Sequence, residues 1–304
     1  MKFFDRKYDP TRFEILDKAR SRFNEIYVIQ NGSRREMFFK GEGNFYLQSS
    51  FDLRRMESLI LVYSRMMLAS LLFRPAPRRI LMIGLGGGSI ADWLHQRFPE
   101  GHLDVVEVDE KVVEFCGKYF FLKETGNFKV HVGDGRVFVQ NQRGKDPYDL
   151  VLLDAFKSGS IPFHLKTSEF YEEIREILSP GGVVASNLYG KSNPLKPKDR
   201  NTFAHVFPQV YCFQDPEAVA TVLVAVDQDK PWPGSDLRKA AGAQQSSLPF
   251  SPADLEAMFQ PGMFKDEALG MFRDEFSGKD FMRVVKANNT RSGGDSTYPI
   301  KSHN

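Results

Sequence analysis

The sequence predicts an α/β fold, with a doubly wound, mostly parallel sheet preceded by a small antiparallel β domain. From residue 79 onward, short apolar runs rich in β-branched residues alternate with helical patterns, as is typical of a parallel sheet covered by helices on both faces. The first of these runs ends in a turn that contains four glycines. Before residue 53, strand-like runs follow each other with only turns between them, which indicates antiparallel hairpins.

The N-terminal part of the chain divides into two predicted units. Residues 1–22 are charged and mixed in character, and we expect an N-terminal extension with one short helix. Residues 23–52 are predicted to form the small β domain, because Asn31-Gly32, the strongest short hairpin signal, separates two strand-like runs. The predicted strands of this domain are Glu25–Gln30, Arg35–Lys40 and Phe45–Gln48.

The main domain is predicted over residues 53–228. A broad apolar stripe predicts a helix over Phe51–Phe73, which Pro75 and Pro77 end. The predicted strands of the main sheet are 79–84, 103–109, 128–132, 148–154 and 183–188, with a closing pair at 210–213 and 221–226 that adds an antiparallel edge strand. The predicted helices between them are 89–98, 110–120, 136–142 and 167–178.

The signal weakens after Asp227. Lys230–Gly234 and the Ala/Gln/Ser run at 240–248 indicate linker, and Ser251–Phe281 contains two weak helical patterns. The polar end from Lys286 is predicted to be disordered. Residues 229–304 are therefore predicted to be a C-terminal extension that is partly disordered.

Overall charge and apolar patterning exclude several classes of function. The net charge of +2 gives no strong field that would favour nucleic acid or an anionic membrane as a partner. No apolar run reaches the length of a transmembrane helix, and the N-terminus lacks the apolar core of a secretory signal. Cys116 and Cys212 lie in apolar surroundings, which favours two reduced thiols in a cytoplasmic protein.

The glycine-rich turn after the first main-domain strand is the strongest candidate binding element. Glycine tolerates positive φ and has no side chain, so the backbone of such a turn can press against a ligand. Ser89 opens the following helix, whose free N–H groups would point at the same ligand. The glycines of the turn are Gly84, Gly86, Gly87 and Gly88.

The second main-domain strand ends in two carboxylates, Glu107 and Asp109. An ionised carboxylate only accepts hydrogen bonds, so an acid at this strand tip suits the two hydroxyl groups of a ribose. Together with the glycine turn, it predicts a nucleoside site. NAD is the rival ligand, but its fingerprint has a glycine where Ser89 stands. A turn that uses glycine only for packing is the alternative without a function.

Five motifs follow each other along the chain: GLGGGS, VVEVD, GDGR, YDLVLLDAF and EFYEEIREILSPGGVVASN. Together they resemble the spermidine synthase family of polyamine aminopropyltransferases, over about residues 24–226. GxGGG alone would indicate only an S-adenosyl ligand. The resemblance implies a Rossmann-like sheet of the class I S-adenosylmethionine-dependent methyltransferase type, a small-molecule amine substrate and a possible homodimer.

The resemblance also implies a role for each matching residue. The glycine turn would pass the methionine-derived part of decarboxylated S-adenosylmethionine, and Glu107 would bind the ribose hydroxyl groups. Asp134 would accept from the adenine amino group, and Gln48 would reach the nucleoside from the N-terminal domain. Asp154 occupies the place of the family's catalytic acid. The predicted cofactor-binding set is completed by Ser89, Asp109, Gly135 and Arg136.

The chemistry of amine alkylation supports the place given to Asp154. Strand tips meet at the carboxyl edge of a doubly wound sheet, where ligands bind. An amine that attacks a carbon next to a sulfonium must first be neutral, and a carboxylate can hold the amine, take its proton and attract a cationic polyamine. Neither a metal nor a covalent intermediate is required. The alternatives are a loop-capping role for Asp154 and an ordinary turn aspartate at Asp134.

Three departures from the family pattern bear on the cofactor and the acceptor. Ser89 replaces an acid that normally meets the aminopropyl amine, which weakens selectivity for the decarboxylated cofactor. Lys157 stands where a second acid is expected after Asp154, and Phe51–Glu57 replaces an acidic stretch that contains tyrosine. The acceptor, and the choice between decarboxylated and intact S-adenosylmethionine, therefore stay open.

Three functions follow from these observations. The first is aminopropyl transfer to a polyamine such as putrescine. The second is an S-adenosylmethionine-dependent methyltransferase, favoured by Ser89 and by Lys157, whose charge suits the carboxylate of the intact cofactor. The third is a non-catalytic nucleoside-binding homologue. His95, on a predicted helix after Leu94, and His164, after Pro162, are expected to be solvent or loop histidines. Their spacing with acids matches no metal site.

Overall fold

The chain folds around two sheets, as a computed structural model shows for residues 13–41, 44–156, 161–188, 195–215, 217, 220–228, 234–244, 248–262 and 264–275. One is a four-stranded antiparallel sheet, and the other is an eight-stranded mixed sheet with a parallel centre. Both confirm the predicted fold class. None of the helices in these ranges is long and apolar enough to cross a membrane.

The four-stranded sheet is built from consecutive hairpins in the order β1-β2-β3-β4. Gly32 has φ +59° in the turn between β2 and β3, a left-handed conformation that glycine adopts without a side-chain clash. This confirms the predicted hairpin at Asn31-Gly32. The strands are β1 (Glu14–Arg20), β2 (Glu25–Asn31), β3 (Arg34–Gly41) and β4 (Asn44–Asp52).

The prediction of a helix within residues 1–22 is wrong for the described part of this segment, residues 13–22. Glu14–Arg20 forms the edge strand β1. It pairs antiparallel with β2. Its side chains are exposed or half-buried and mix charged with apolar residues, a pattern that gave no clear period. Leu16 and Ala19 pack against the main apolar core. The strand therefore owes its stability to tertiary pairing, which local propensity does not report.

A shorter helix than predicted links the two sheets. Strand β4 continues to Asp52, and Phe51 pairs with Arg35 of β3. The only helical segments between that strand and residue 73 are α1 (Val62–Met67) and a 3₁₀ turn (Leu68–Leu72). The apolar residues from Met66 to Phe73 are buried. Leu53, Met56 and Ile60 of the predicted stripe are only half-buried, and the first residues of the predicted helix belong to a strand.

The main sheet has the order β12-β10-β11-β9-β8-β5-β6-β7. Strand β5 lies between β6 and β8 and is parallel to both, so the strand order reverses at this point. Strands β10, β11 and β12 form an antiparallel edge beside β9. The strands are β5 (Arg79–Ile83), β6 (His102–Glu107), β7 (Phe128–Val132), β8 (Tyr148–Leu153), β9 (Leu178–Asn187), β10 (Gln209–Gln214), β11 (Thr221–Val226) and β12 (Phe259–Gln260).

Helices cover both faces of this sheet, and two apolar clusters fill the space between them. The four helices predicted between strands of the main sheet each begin within one residue of the observed start. The helices of the sheet region are α2 (Ser89–Arg97), α3 (Glu110–Tyr119), α4 (Gly135–Gln140), α5 (Ser168–Glu176) and α6 (Lys196–Val206).

The C-terminal region contains more structure than predicted. Helix α7 (Gly234–Ala243) occupies part of the predicted linker, because Leu237 and Ala241, one helical turn apart, are buried against the main core. Helix α8 (Pro252–Met258) and a 3₁₀ turn (Glu267–Leu269) follow. The predicted disordered end from Lys286 lies outside the described residues.

Candidate active site

A cavity of about 210 Å³ opens at the carboxyl ends of β5, β6 and β8. In a doubly wound sheet this is the place where strand order reverses and ligands bind. Phe39 of β3 and Gln48 of β4 line the cavity as well, so both sheets contribute to it. The predicted site residues that line it are Gln48, Gly84, Gly86, Glu107, Asp134, Gly135 and Asp154.

The glycine turn lies between Asp154 and the N-terminal sheet. Gly84 has φ +98°, and a β-carbon on it would lie 2.4 Å from the backbone oxygen of Asp154. Gly87 donates its N–H to Oγ of Ser49 at 2.7 Å, and a β-carbon there would lie 2.6 Å from the β-carbon of Ser49. Glycine at these two positions therefore allows close backbone packing.

Three predicted residues of the turn, Gly87, Gly88 and Ser89, do not line the cavity. Gly88, at φ +84°, is the residue before α2, and Ser89 is the first residue of that helix. A β-carbon on Gly88 would approach the side chain of Leu122 to 3.1 Å. Of the predicted turn residues, Gly84 and Gly86 are thus the ones that face the cavity.

Glu107 is buried at the tip of β6 and lines the cavity. Its Oε2 accepts from the backbone N–H of Leu85 at 2.9 Å, and its Oε1 accepts from that of Asp109 at 3.0 Å. Burial raises the pKa of this carboxyl, against the effect of these backbone donors. A carboxylate offers about four lone-pair sites, so these contacts leave acceptor capacity for a ligand donor such as a hydroxyl group.

Asp109 is buried but does not line the cavity. Its Oδ1 accepts from the backbone N–H of Lys111 at the start of α3. Its Oδ2 accepts from Ser21 Oγ at 2.6 Å and from Asn24 Nδ2 at 3.0 Å. Asp109 therefore fixes the segment between β1 and β2 to the main sheet.

The contact with Asp109 orients Asn24, which lines the cavity and is 8% exposed. A carboxylate only accepts hydrogen bonds, so the amide nitrogen of Asn24 must face Asp109. The amide oxygen then points elsewhere, and it finds no hydrogen-bond partner among the described residues. A buried acceptor without a donor is costly, so a ligand donor at this place would be stabilising.

Asp134 caps the first turn of α4 and contacts His164 across the cavity wall. Its Oδ1 accepts from the backbone N–H groups of Arg136 and Val137 at 2.9 and 3.1 Å. Its Oδ2 lies 2.8 Å from Nε2 of His164. The hydrogen bond from His164 holds the pKa of Asp134 below its usual range, so the carboxyl stays ionised. His164 was predicted to be a solvent or loop histidine, but it lies in a 3₁₀ turn (Phe163–Leu165) and lines the cavity.

Arg136 does not line the cavity. Its guanidinium forms forked contacts with Glu173, at 2.8 and 2.9 Å, and with Asp274, at 2.7 Å for both pairs of atoms. A third contact reaches the backbone oxygen of His164 at 3.3 Å. Gly135, in contrast, faces the cavity and packs on Ile83, whose Cγ2 would lie 2.4 Å from an added β-carbon.

Asp154 follows β8 and lines the cavity beside two polar side chains, those of Asn187 and Tyr63. Its Oδ1 accepts from Nδ2 of Asn187 at 2.8 Å. The hydroxyl of Tyr63 interacts with the same carboxyl and also lies 3.1 Å from the backbone oxygen of Gln48. Gln48 donates from its side chain to the backbone oxygen of Tyr46. These contacts hold the carboxyl of Asp154 at one end of the cavity.

The environment of Asp154 changes its proton affinity. The carboxyl group is half-buried in the cavity wall, and desolvation raises its pKa to about 7. The hydrogen bonds from Asn187 and Tyr63 act in the opposite direction but are weaker, and the charge of Glu107 adds to the increase. A carboxyl with a pKa near neutrality can both accept and release a proton at physiological pH.

Four polar side chains that line the cavity or contact Asp154 were absent from the predicted set: Tyr63, Asn187, Asn24 and His164. Asn187 ends the strand beside β8, so the rule that strand tips meet at one sheet edge would have found it. Tyr63 belongs to an apolar helical stripe that gives no sign of a polar role. Lys157, the predicted cation after Asp154, lies outside the described residues. Among those residues no group of three or more His, Cys, Asp or Glu side chains has the arrangement of a metal site.

Comparison with known proteins places this chain in a family. Residues 60–222 match the model of the spermine/spermidine synthase domain. A polyamine aminopropyltransferase of Vibrio vulnificus is 32% identical over 277 residues, which cover 88% of this chain and 91% of that protein. An eEF1A lysine and N-terminal methyltransferase homolog of Drosophila melanogaster is 29% identical over 164 residues, covering 52% of this chain but 24% of that protein.

Solved structures agree on the fold. The crystal structure of a probable spermidine synthase from Corynebacterium glutamicum has a TM-score of 0.67 at 18% identity, and the match covers 87% of this chain and 97% of that chain. The family match spans more than half of the sequence, and the Vibrio relative matches over nearly its whole length. The chain therefore belongs to the spermine/spermidine synthase family.

Proposed function

We propose that this transferase moves an aminopropyl group from decarboxylated S-adenosylmethionine to an amine such as putrescine, with Asp154 as the residue that receives the amine. The single observation that carries the proposal is the position of this carboxyl. It lies at the end of a cavity whose other two carboxylates, Glu107 and Asp134, are placed to bind a nucleoside. Family membership and the Vibrio relative's name support the same reaction.

The nucleoside would lie along the carboxyl edge of the sheet. Glu107 accepts from the ribose hydroxyl groups with the lone pairs that its backbone donors leave open. Asp134, held ionised by His164, accepts from the adenine amino group. The sulfonium and its aminopropyl chain then extend past Gly84 and Gly86 toward Asp154, since a glycine backbone allows this close approach.

The proton balance of the reaction places Asp154 as the base. An incoming ammonium gives one proton to the Asp154 carboxylate, and the neutral nitrogen attacks the carbon next to sulfur. A C–N bond forms, the C–S bond breaks, and its electron pair stays on sulfur, so that neutral methylthioadenosine leaves. Tyr63 and Asn187 keep the carboxyl oriented toward the amine during this step. This mechanism needs no metal, which stays a prediction.

A methyltransferase on the same scaffold is the second candidate. The Drosophila relative, named as a methyltransferase, matches over 52% of this chain, and Ser89 stands where the aminopropyltransferase pattern has an acid. Intact S-adenosylmethionine would give S-adenosylhomocysteine as its product instead of methylthioadenosine. The third candidate, a non-catalytic nucleoside-binding homologue, would bind a nucleoside and release neither product.

One experiment separates the three candidates. The protein is incubated with decarboxylated or intact S-adenosylmethionine and a panel of amines that includes putrescine, and the nucleoside products are quantified by mass spectrometry. We expect methylthioadenosine from the decarboxylated form. S-adenosylhomocysteine alone would select the methyltransferase, and calorimetric binding without any product would select the non-catalytic homologue.

Three further statements belong to this proposal. We infer a cytoplasmic location, because the buried cysteines Cys116 and Cys212 are free thiols, which suits a reducing compartment. We also infer a homodimer from the family resemblance, and sedimentation of the purified protein tests it. We propose a small N-terminal β domain over 23–52 and a transferase domain over 53–228 as the functional units, with extensions at 1–22 and 229–304. Strand β1 joins the first sheet from the N-terminal extension, and strand β12 joins the main sheet from the C-terminal extension.

A further inference from the structure

Residues 264–275, here called the C-terminal strap, lie beyond the part of the chain that matches the family model. The strap packs across the segment that carries His164 and leads into α5. Phe272 is 1% exposed, its backbone oxygen accepts from the N–H of Ser168 at 2.8 Å, and its ring meets that of Phe163 edge-on at 5.9 Å. The strap is thus part of the structure that supports one wall of the cavity.

Asp274 connects the strap to Arg136 at the start of α4. Its two carboxylate oxygens each accept from the guanidinium at 2.7 Å, and Glu173 holds the guanidinium from another side. The Arg136 side chain is 13% exposed, which is low for a surface ion pair. Forked pairs of this kind fix orientation as well as distance, because two parallel hydrogen bonds must form together.

His164 is held at both ends by this arrangement. Nη1 of Arg136 lies 3.3 Å from its backbone oxygen, and its Nε2 lies 2.8 Å from Oδ2 of Asp134. The imidazole remains 45% exposed, so packing alone does not fix it. A continuous set of polar contacts therefore runs from Asp274 through Arg136 and His164 to Asp134 in the cavity.

We propose that the C-terminal strap sets the base-binding end of the cavity, with Asp274 as a positioning residue that acts through Arg136 to hold His164 against Asp134. The inference rests on the proposed function, because it assigns the Asp134 end to the nucleobase. Without Asp274, Arg136 keeps only Glu173 as an anionic partner among these contacts, and His164 loses part of its anchor. Part of the free energy of base binding is then used to order this wall of the cavity, which lowers the affinity for the nucleoside.

The test compares two carboxylate-to-amide changes on the same strap. Asp274→Asn removes the partner of Arg136, whereas Glu267→Gln changes an exposed carboxylate that contacts His205. Binding of methylthioadenosine is measured by calorimetry. We expect Asp274→Asn to raise Kd about fivefold, in the range of couplings transmitted through packed networks, and Glu267→Gln to leave it within twofold. Equal Kd values for Asp274→Asn and the wild type would overturn the proposal.

A second readout separates positioning from a general loss of stability. Methylthioinosine carries an oxo group where methylthioadenosine carries the amino group, so the ratio of their Kd values measures recognition by Asp134. We expect the Kd of methylthioinosine divided by that of methylthioadenosine to fall for Asp274→Asn. The same ratio should fall for Arg136→Lys, which keeps the charge but loses the forked pair of hydrogen bonds. An unchanged ratio, with both ligands weakened alike, would mean that the strap only stabilises the fold.

The failures of the two proposals are distinguishable, because binding is measured without turnover. If the wild type binds neither nucleoside, the proposed function fails. If the wild type binds methylthioadenosine, and Asp274→Asn and Arg136→Lys both match it in affinity and selectivity, only the strap proposal fails. Should Asp274→Asn not fold, as judged by thermal denaturation, Arg136→Lys decides the question alone.

Discussion

Gly84 and Asp154 are in such close backbone contact that a β-carbon on the glycine would lie 2.4 Å from the aspartate's carbonyl oxygen. The contact continues the sheet beyond its strands: the N–H of Asp154 donates to Ile83 at 2.8 Å, and the N–H of Gly84 donates to Val106 at 2.8 Å. The backbone of the glycine turn and that of the candidate catalytic acid are therefore packed directly against each other. The turn proposed to bind the ligand therefore also positions the backbone of Asp154.

Replacing Gly84 with alanine tests this contact. The substitution combines a φ of +98° with a clash against backbone atoms of Asp154 and Ala155. These backbone atoms cannot move aside as the end of a flexible side chain would. We expect the free energy of unfolding in urea to fall by about 3 kcal/mol or more. Gly126→Ala is the matched control, because its β-carbon would meet no atom within 4 Å. Similar losses for both variants would contradict the account.

The pH dependence of the rate should report the proton affinity of Asp154. Its pKa is raised to about 7, and only the deprotonated carboxylate can take a proton from the amine. We therefore expect kcat/KM to rise with pH through about 7 and to lose this step in Asp154→Asn. Titration of the acceptor amine can add a second step to the pH profile of kcat/KM. That step is identified because it moves when a different amine is used.

Tyr63→Phe should move that step in a defined direction. The hydroxyl of Tyr63 lowers the pKa of Asp154 by hydrogen bonding to its charged form. Its removal should therefore raise the pKa, so that the rising limb of kcat/KM shifts to higher pH. Tyr119→Phe is the control, because its hydroxyl bonds Asp17 on β1. A shift to lower pH in Tyr63→Phe would show that the hydroxyl plays another role.

Asn24 lines the cavity, and its buried amide oxygen has no hydrogen-bond partner among the described residues, so removal of this side chain should weaken nucleoside binding. We expect Asn24→Ala to raise the Kd of methylthioadenosine about five- to tenfold, the range set by one hydrogen bond of about 1 kcal/mol or slightly more. Asn141→Ala, at the exposed end of α4, should bind as the wild type does. If Asn24→Ala binds more tightly, the orphan oxygen opposes the ligand and the assignment is wrong.

The parts of this site that the sequence predicted are those fixed by local rules. The turn glycines, Glu107, Asp134 and Asp154 each follow a β-branched run, and parallel strands bring such tips to one edge. The α/β alternation similarly predicted the sheet, since period and strand length are local properties. The individual roles of these residues stay predictions until binding and activity are measured.

The residues that sequence reasoning missed depend on long-range contacts. Asn24 and Asp109 are 85 positions apart in the chain, and Arg136 and Asp274 are 138 apart. No local pattern marks either pair. Tyr63 has the spacing of a core residue on its helix, and only the tertiary fold brings its hydroxyl to Asp154. Strand β1 was missed for the same reason, because its pairing partner determines its conformation.

The most direct test of the central claim is the rate at which methylthioadenosine forms from decarboxylated S-adenosylmethionine and putrescine in wild type and Asp154→Asn. Loss of a positioned base should lower kcat by about 10² to 10⁴, while the calorimetric Kd of methylthioadenosine stays within about threefold of the wild-type value. Asp146→Asn, at an exposed position just before β8, should keep the wild-type rate. An Asp154→Asn variant that forms methylthioadenosine at the wild-type rate would contradict the account.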